Sequence, residues 1–221
     1  MKTVKSLDIA YGSVNKAVLM NVPKNARNIL DVGCGSGDLG SAIKQKCACT
    51  VTGLTYNPIE ARLAAGKLDH VVLLDLNSYP LDISGEYDCI ICSHVLEHLY
   101  KPHLLLHELQ SKYLTQGGLL IVALPNILHW KQRIAFMLGH FRYTKGGVMD
   151  ETHYRFFDWN TATELVESAG LPISSRYADG IFPLARFLGP CRSAINRAAC
   201  QFLPGLFGWQ FIIVARAGKL D

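Results

Sequence analysis

The sequence predicts a doubly wound α/β fold built on a mostly parallel, seven-stranded sheet. Short runs rich in Val, Ile and Leu alternate along the chain with segments of helical periodicity. The runs are apolar at nearly every position, which is typical of parallel strands that are covered by helices on both faces. A glycine-rich turn follows the first run, and sheets of this kind bind ligands at that end of the strands.

The elements follow from periodicity and from helix start and stop signals. Strands are predicted at residues 28–32, 49–54, 71–74, 87–93, 119–123, 173–177 and 210–215. Helices are predicted at residues 5–20, 39–46, 58–65, 104–113 and 160–169. No long linker or low-complexity run divides these elements. We therefore predict a single domain over residues 1–221, with insertions at 126–157 and 181–208.

The turn after the first strand reads I-L-D-V-G-C-G-S-G over residues 29–37. Glycines at alternate positions remove the Cβ atoms that would hold a nucleotide-like ligand away, and they leave backbone N–H groups to face it. The spacing differs from the G-x-G-x-x-G pattern that binds a pyrophosphate. Asp31 is badly placed for a phosphate but suits an ammonium group. The turn therefore favours a nucleotide-like ligand with an amino acid tail.

Several segments at the predicted strand ends resemble class I S-adenosylmethionine (SAM) dependent methyltransferases. Two of these segments, P-N-x-x-H-W and D-E-T-H-Y-R-F-F, resemble the branch that contains methionine-biosynthesis-type proteins and methyltransferases of sugar and secondary-metabolite pathways. The segments are D-V-G-C-G-S-G (31–37), E-Y-D-C-I-I-C-S-H-V-L-E-H (86–98), G-G-L-L-I-V-A-L-P-N (117–126), P-N-x-x-H-W (125–130) and D-E-T-H-Y-R-F-F (150–157). The resemblance covers roughly residues 15–175 and the final strand.

This resemblance implies SAM as cofactor and S-adenosylhomocysteine (SAH) as product. Residues of the glycine turn would contact the methionine part and the ribose, residues after the third strand would hold the adenine, and residues after the fourth strand would line the pocket. In that order they are Asp31, Gly33, Cys34, Gly35 and Gly37, then Asp75 and Leu76, then Ser93 and His94.

One position departs from the family pattern. The family usually ends its second strand in Asp or Glu, which binds both ribose hydroxyls, whereas this chain has Thr55 there. A hydrogen bond to a charged acceptor contributes about 1.5–3 kcal/mol, so its absence would weaken cofactor binding. Either Thr55, Tyr56 or Asn57 substitutes for the acid, or the site is degraded.

Two histidines are candidate general bases, which remove the proton of an acceptor hydroxyl as the methyl group arrives. His153 is the first candidate because it lies in the family's distinctive segment, just before a predicted helix. A structural hydrogen bond that fixes a lid is the alternative role. His129, beside Trp130, is the second candidate.

Residues 126–157 and 181–208 are predicted to form lids. Between residues 126 and 149 there are four basic residues and no acid, which indicates either a pocket mouth that attracts an anionic acceptor or a solvated helix face. The second insertion has an apolar helical stripe and reads as an active-site cover, a homodimer surface or, less favoured, an interfacial membrane helix. The stripe consists of Cys191, Ala194, Ile195, Ala198 and Phe202.

Other functions are weighed against methyl transfer. His94, Glu97 and His98 spell H-x-x-E-H, the pattern of inverted zinc peptidases, but it stands where methyltransferases carry similar segments without metal. We expect no metal. The net charge of +4 is modest, and no cluster of Lys and Arg with interleaved aromatic residues is found, which argues against nucleic-acid binding. No signal peptide or 18-residue apolar span is found, and seven cysteines without a disulfide spacing suit a reducing compartment, so we expect a cytoplasmic protein without a transmembrane segment.

The sequence therefore predicts SAM-dependent methyl transfer to a small-molecule acceptor, at a hydroxyl. The first alternative is a SAM-binding or partner-binding protein of methionine-biosynthesis type with little turnover. The second alternative is a metal-dependent hydrolase that uses the H-x-x-E-H segment.

Overall fold

The computed structural model describes residues 14–183, 185 and 189–218. Seven strands form one sheet in the order β3-β2-β1-β4-β5-β7-β6, in which β7 runs antiparallel to both of its neighbours. The strands are β1 Asn28–Val32, β2 Thr50–Thr55, β3 His70–Leu73, β4 Tyr87–Ser93, β5 Leu114–Pro125, β6 Ile173–Gly180 and β7 Gly208–Arg216. The predicted α/β fold with a mostly parallel seven-stranded sheet is confirmed.

The described helices cover both faces of this sheet. They are α1 Lys16–Asn21, α2 Asp38–Lys46, α3 Pro58–Ala65, α4 Pro102–Glu108, α5 Trp130–Met137, α6 Trp159–Glu167, α7 Arg192–Phe202 and α8 Pro204–Phe207. A 3-10 turn spans Leu96–His98, and one turn of π-helix continues α4 over Leu109–Tyr113. Residues 5–13 of the first predicted helix lie outside the described residues.

The strand order reverses between β1 and β4, which opens a crevice at the carboxyl ends of these two neighbours. From β1 the chain builds outward through β2 and β3, and then crosses to the other side of β1. Apolar clusters fill both faces of the sheet, with Leu30 in one and Ile29 in the other. The glycine turn and the residues after β4 therefore meet at one edge of a rigid, doubly covered sheet.

The apolar stripe predicted on α7 faces largely outward, and its role stays a prediction. Cys191, Ala194, Ala198 and Phe202 are exposed, while Cys200 is the buried residue of the helix. The helix packs against β6 through the adjacent face, and the Asn196 side-chain oxygen accepts a hydrogen bond from the backbone N–H of Phe182. Part of the apolar surface of α7 therefore faces outward.

The described part of the chain contains no helix that is long and apolar enough to cross a membrane.

Helix α6 begins with a reciprocal capping box. The Asp158 carboxylate accepts hydrogen bonds from the backbone N–H groups of Asn160 and Thr161, and the Thr161 hydroxyl accepts one from the backbone N–H of Asp158. This cap follows directly after the 150–157 segment and fixes where that segment ends. The pKa of Asp158 lies below its usual value because of these donors.

Asp158→Ala is expected to lower the free energy of unfolding by about 1 kcal/mol, the typical loss for a helix amino-terminal cap. Urea denaturation near neutral pH measures it. Because the depressed pKa of Asp158 makes its contribution largest above the unfolded value of 3.8, the difference between wild type and variant should shrink as the pH falls through the folded pKa. A difference that grows under acid conditions would contradict this assignment.

Candidate active site

The glycine turn after β1 is a backbone cradle into which a Cβ does not fit. Gly33, Gly35 and Gly37 have φ values of 74°, 52° and 79°, in the left-handed region that favours glycine. A Cβ on Gly33 would lie 2.6 Å from a methyl group of Val95, and one on Gly37 would lie 3.1 Å from the Cα of Ala64. The turn is therefore fixed both by its own conformation and by close neighbours.

Asp31 lies at the base of this turn and is 2% exposed. Its Oδ2 atom has no hydrogen-bond partner among the described residues. Burial raises the pKa of this carboxyl group to about 7. An unpaired buried carboxylate is costly, and a cationic ligand group beside it would offset that cost.

The predicted cofactor residues after β2 divide into a buried and an exposed part. Thr55 is buried, and its hydroxyl donates to Oε2 of Glu60 at 3.1 Å. Asn57 caps α3 through its side-chain oxygen, which accepts from the backbone N–H of Ile59 at 2.9 Å. Tyr56 points outward and is 75% exposed.

After β3, Asp75 is exposed and Leu76 is buried. The Asp75 carboxylate accepts hydrogen bonds from the backbone N–H and the side-chain amide of Asn77. The Asn77 oxygen in turn accepts from the backbone N–H of Tyr100, which ties this loop to the segment after β4. The loop is thus held at the crevice, and Asp75 is accessible to a ligand.

After β4, His94 adopts a φ of 53° and is held from both sides of its ring. Nδ1 lies 3.3 Å from Oε1 of Glu97, and Nε2 lies 2.8 Å from Oε1 of the buried Gln210. Burial lowers the pKa of His94, but the two acceptors outweigh burial and leave it above its usual value. The neighbouring Ser93 accepts a hydrogen bond from the side chain of Asn15.

Glu97 lies at the centre of a second cluster, in the 3-10 turn. It is 1% exposed, and its Oε2 atom has no hydrogen-bond partner among the described residues. One atom each of Glu97, His98 and His153 that could bind a metal ion lies within 4.8 Å of the other two. The rings of His98 and His153 meet edge to face at a centroid distance of 4.7 Å.

His153 is buried, and its Nδ1 lies 3.2 Å from the backbone oxygen of Val148. A carbonyl oxygen only accepts, so Nδ1 carries the hydrogen and Nε2 carries the lone pair. Burial is the largest cause that lowers the pKa of His153, and the charge of Glu97 opposes it. Burial therefore favours the neutral form of this imidazole.

The segment that carries His153 is strapped onto the 3-10 turn. The backbone N–H groups of Tyr154 and Arg155 both donate to the carbonyl oxygen of Glu97, and the Arg155 guanidinium donates to the carbonyl of Tyr100 at 2.7 Å. This strap brings together residues that lie more than 50 positions apart. His98 and His153 meet because of it.

His129 does not join this cluster. It precedes α5, and its ring lies against that of Trp130 at a centroid distance of 5.7 Å. Burial first, and then the charge of Lys131, lower its pKa. His129 is thus not part of the cluster formed by Glu97, His98 and His153.

Sequence reasoning missed Asn15 and Gln210. Gln210 is 1% exposed and bonds to Asn15 and to Asp179 as well as to His94. Its signal was a lone amide in the otherwise apolar run W-Q-F-I-I-V of β7. Glu60, discussed below, was also missed.

The H-x-x-E-H segment does not form the α-helix that the peptidase pattern requires, because residues Leu96–His98 form a 3-10 turn and His94 bonds Gln210. The residues that could share an ion are instead Glu97, His98 and His153. Our expectation that no metal is required stays a prediction.

Elemental analysis after chelator-free purification should find no stoichiometric zinc. A tightly bound equivalent that is lost in His98→Ala would contradict it.

Comparisons with known proteins agree with this geometry. Residues 12–175 match the methyltransferase domain family. A stretch of 105 residues, 45% of the chain, is 32% identical to 30% of the (S)-tetrahydroprotoberberine N-methyltransferase of Eschscholzia californica. Another of 86 residues, 36% of the chain, is 31% identical to 37% of the ubiquinone biosynthesis O-methyltransferase of Thiobacillus denitrificans. The chain thus matches about a third of the length of these curated relatives.

Among solved structures, a SAM-dependent methyltransferase from Archaeoglobus fulgidus superposes with a TM-score of 0.63 at 22% identity, over 87% of each chain. The chain therefore has the fold of this SAM-dependent methyltransferase. The chain belongs to the methyltransferase domain family.

The residues present fit SAM as cofactor. The unpaired Asp31 oxygen suits the ammonium group of its methionine part, and the three glycines of the turn add no side chain to the crevice. That Cys34, Asp75, Ser93 and His94 contact the cofactor stays a prediction.

Asp31→Asn is expected to lower the affinity for SAH at least about tenfold, since the ligand loses a charge-assisted partner. In the wild type, burial raises the pKa of Asp31 from 3.8 to about 7, so the folded protein keeps a proton that the unfolded chain has released. The free wild type should therefore lose stability as the pH rises between those values, whereas the variant should not. Calorimetric titration and thermal melts over this pH range measure both effects. An Asp31→Asn variant that binds SAH as tightly as the wild type would contradict the role of Asp31.

Proposed function

We propose that the protein transfers the methyl group of SAM to a hydroxyl of a small-molecule acceptor, with His153 as general base. The observation that carries the proposal is the position of the His153 imidazole within the Glu97 cluster, with Nδ1 on the Val148 carbonyl, on a lid segment strapped beside the crevice. A hydroxyl is a weak acid and needs a base as the methyl group arrives, whereas a neutral amine already has a lone pair.

The chain's own groups divide the work. Asp31 and the glycine turn hold the cofactor, whose sulfonium supplies an activated methyl group when bound. His153 would take the acceptor proton at Nε2, since Nδ1 donates to the Val148 carbonyl and fixes the tautomer. The buried carboxylate of Glu97 lies beside it and would stabilise the imidazolium that forms. In-line transfer otherwise needs mainly alignment, which the strapped segment provides.

Charge around the first lid supports an anionic acceptor. Lys131, Arg142 and Lys145 are exposed on residues 126–149, a stretch without acids. Arg133 has a different role, because its guanidinium donates to the carbonyl oxygens of Leu128 and Gly205 and so ties the start of α5 to α8. We propose that residues 126–157 and 181–208 act as covers within a single domain. The outward apolar part of α7 is the surface that a homodimer would use.

His153→Ala is expected to lower kcat by about 10²- to 10⁴-fold and to leave SAH affinity nearly unchanged, because base catalysis typically contributes that factor. SAH release is followed with paired acceptors that share a carbon skeleton but carry a hydroxyl or an amine, each with and without a carboxylate. The wild type should show an acid limb in its pH profile that disappears in the variant.

His129→Ala is the matched control, since His129 lies outside the cluster, and it should keep the acid limb. A His153→Ala variant that keeps the acid limb and only raises KM would indicate a structural role for His153. Methyl transfer to amines alone would overturn the hydroxyl proposal. SAH binding without turnover on any acceptor would favour a SAM-binding protein instead.

A further inference from the structure

Glu60 is a buried acid beside Thr55, the position at which this chain departs from the family pattern. Its side chain is 6% exposed, and Oε2 accepts a hydrogen bond from the hydroxyl of Thr55 at 3.1 Å. Thr55 is the last residue of β2, where the resembling family carries Asp or Glu. A carboxylate is therefore present at this strand end, and it comes from α3 instead of from β2.

The start of α3 places this acid. Asn57 is the N-cap residue and Pro58 follows it, so Glu60 falls in the first helical turn. A negative charge is favourable there because it faces the positive end of the helix dipole. Ala64 lies one turn further on and is also buried, which puts both side chains on the inner face of the helix.

This inner face lies against the glycine turn. A Cβ on Gly37 would come within 3.1 Å of the Ala64 Cα, so the helix and the turn are in direct contact. The Cys34 thiol, inside the turn, has a pKa that is raised by burial first and then by the charges of Asp31 and Glu60. Glu60, one turn before Ala64 on the buried face, therefore lies on the side of α3 that meets the glycine turn.

We propose that Glu60 and Thr55 together bind the ribose hydroxyls of SAM, so that an acid from α3 replaces the acid missing from β2. This inference rests on the proposed function and deepens it. A carboxylate accepts up to about four hydrogen bonds, so it can hold the Thr55 hydroxyl and ligand hydroxyls together. The Thr55 hydroxyl fixes the orientation of the carboxylate, and its own oxygen already accepts from the backbone N–H of Asn57 at 3.2 Å.

The test is calorimetric titration with SAH and with its 2′-deoxy and 3′-deoxy analogues. In Glu60→Ala the affinity for SAH should fall about 10- to 100-fold, the range for a lost hydrogen bond to a charged group. The fall should be about threefold or less for an analogue that lacks the hydroxyl in question. Glu60→Gln keeps the shape of the side chain and should show a smaller loss with the same ranking of ligands.

Glu108→Ala is the matched control, because Glu108 is also a buried acid but lies at the end of α4, where it accepts from the backbone N–H of Leu81. It should lower the melting temperature and leave SAH affinity unchanged. The double variant Thr55→Asp with Glu60→Ala moves the acid back to β2 and should recover most of the lost affinity.

An equal loss for all three ligands in Glu60→Ala and Glu60→Gln would overturn the proposal, since it would indicate that Glu60 only supports the fold. Failure of the folded double variant to recover affinity would overturn it as well. These results differ from a failure of the proposed function, in which the wild type itself would not bind SAH.

Discussion

The close approach of the glycine turn to its neighbours is the constraint on which both halves of the site depend. Gly33 leaves space that Val95 fills, and Val95 directly precedes the 3-10 turn of Glu97. Gly37 leaves space for Ala64, one helical turn from Glu60. The same short turn, predicted to hold the cofactor, therefore packs against the two elements that carry the buried acids Glu97 and Glu60. A larger residue in the turn would disturb all three at once.

The fold was predictable because it depends on patterns of residues that are close together in the sequence. Apolar runs, helix caps and the glycine turn are each read from short stretches of neighbouring residues, and they gave the sheet, the position of the crevice and Asp31. The face of α7 was not predictable in this way. Cys200 is the buried residue of α7, and Asn196 accepts a hydrogen bond from the backbone of Phe182, a tertiary contact that the periodicity of the helix does not show.

The side-chain clusters of the site were predictable only in part for the same reason. His94 depends on Gln210, which lies 116 positions away, and Gln210 depends on Asn15, 195 positions away. Glu60 is only five residues from Thr55. A search confined to the family position and the two residues after it nevertheless misses Glu60, because Glu60 lies on the helix that follows. Position in the chain was a good guide to which strand end matters and a poor guide to which side chain acts there.

The carboxylate of Glu97 accounts for the different behaviour of the two nearby histidines. His94 bonds directly to Glu97 and to Gln210, so its protonated form is stabilised and its pKa rises. His153 faces the same carboxylate without a direct hydrogen bond among those described, and burial prevails, so its pKa falls. Groups whose pKa values are pushed apart in this way can take different roles at one pH. His94 is therefore suited to hold the end of β4 in place through its two hydrogen bonds, whereas Nε2 of His153 keeps a lone pair.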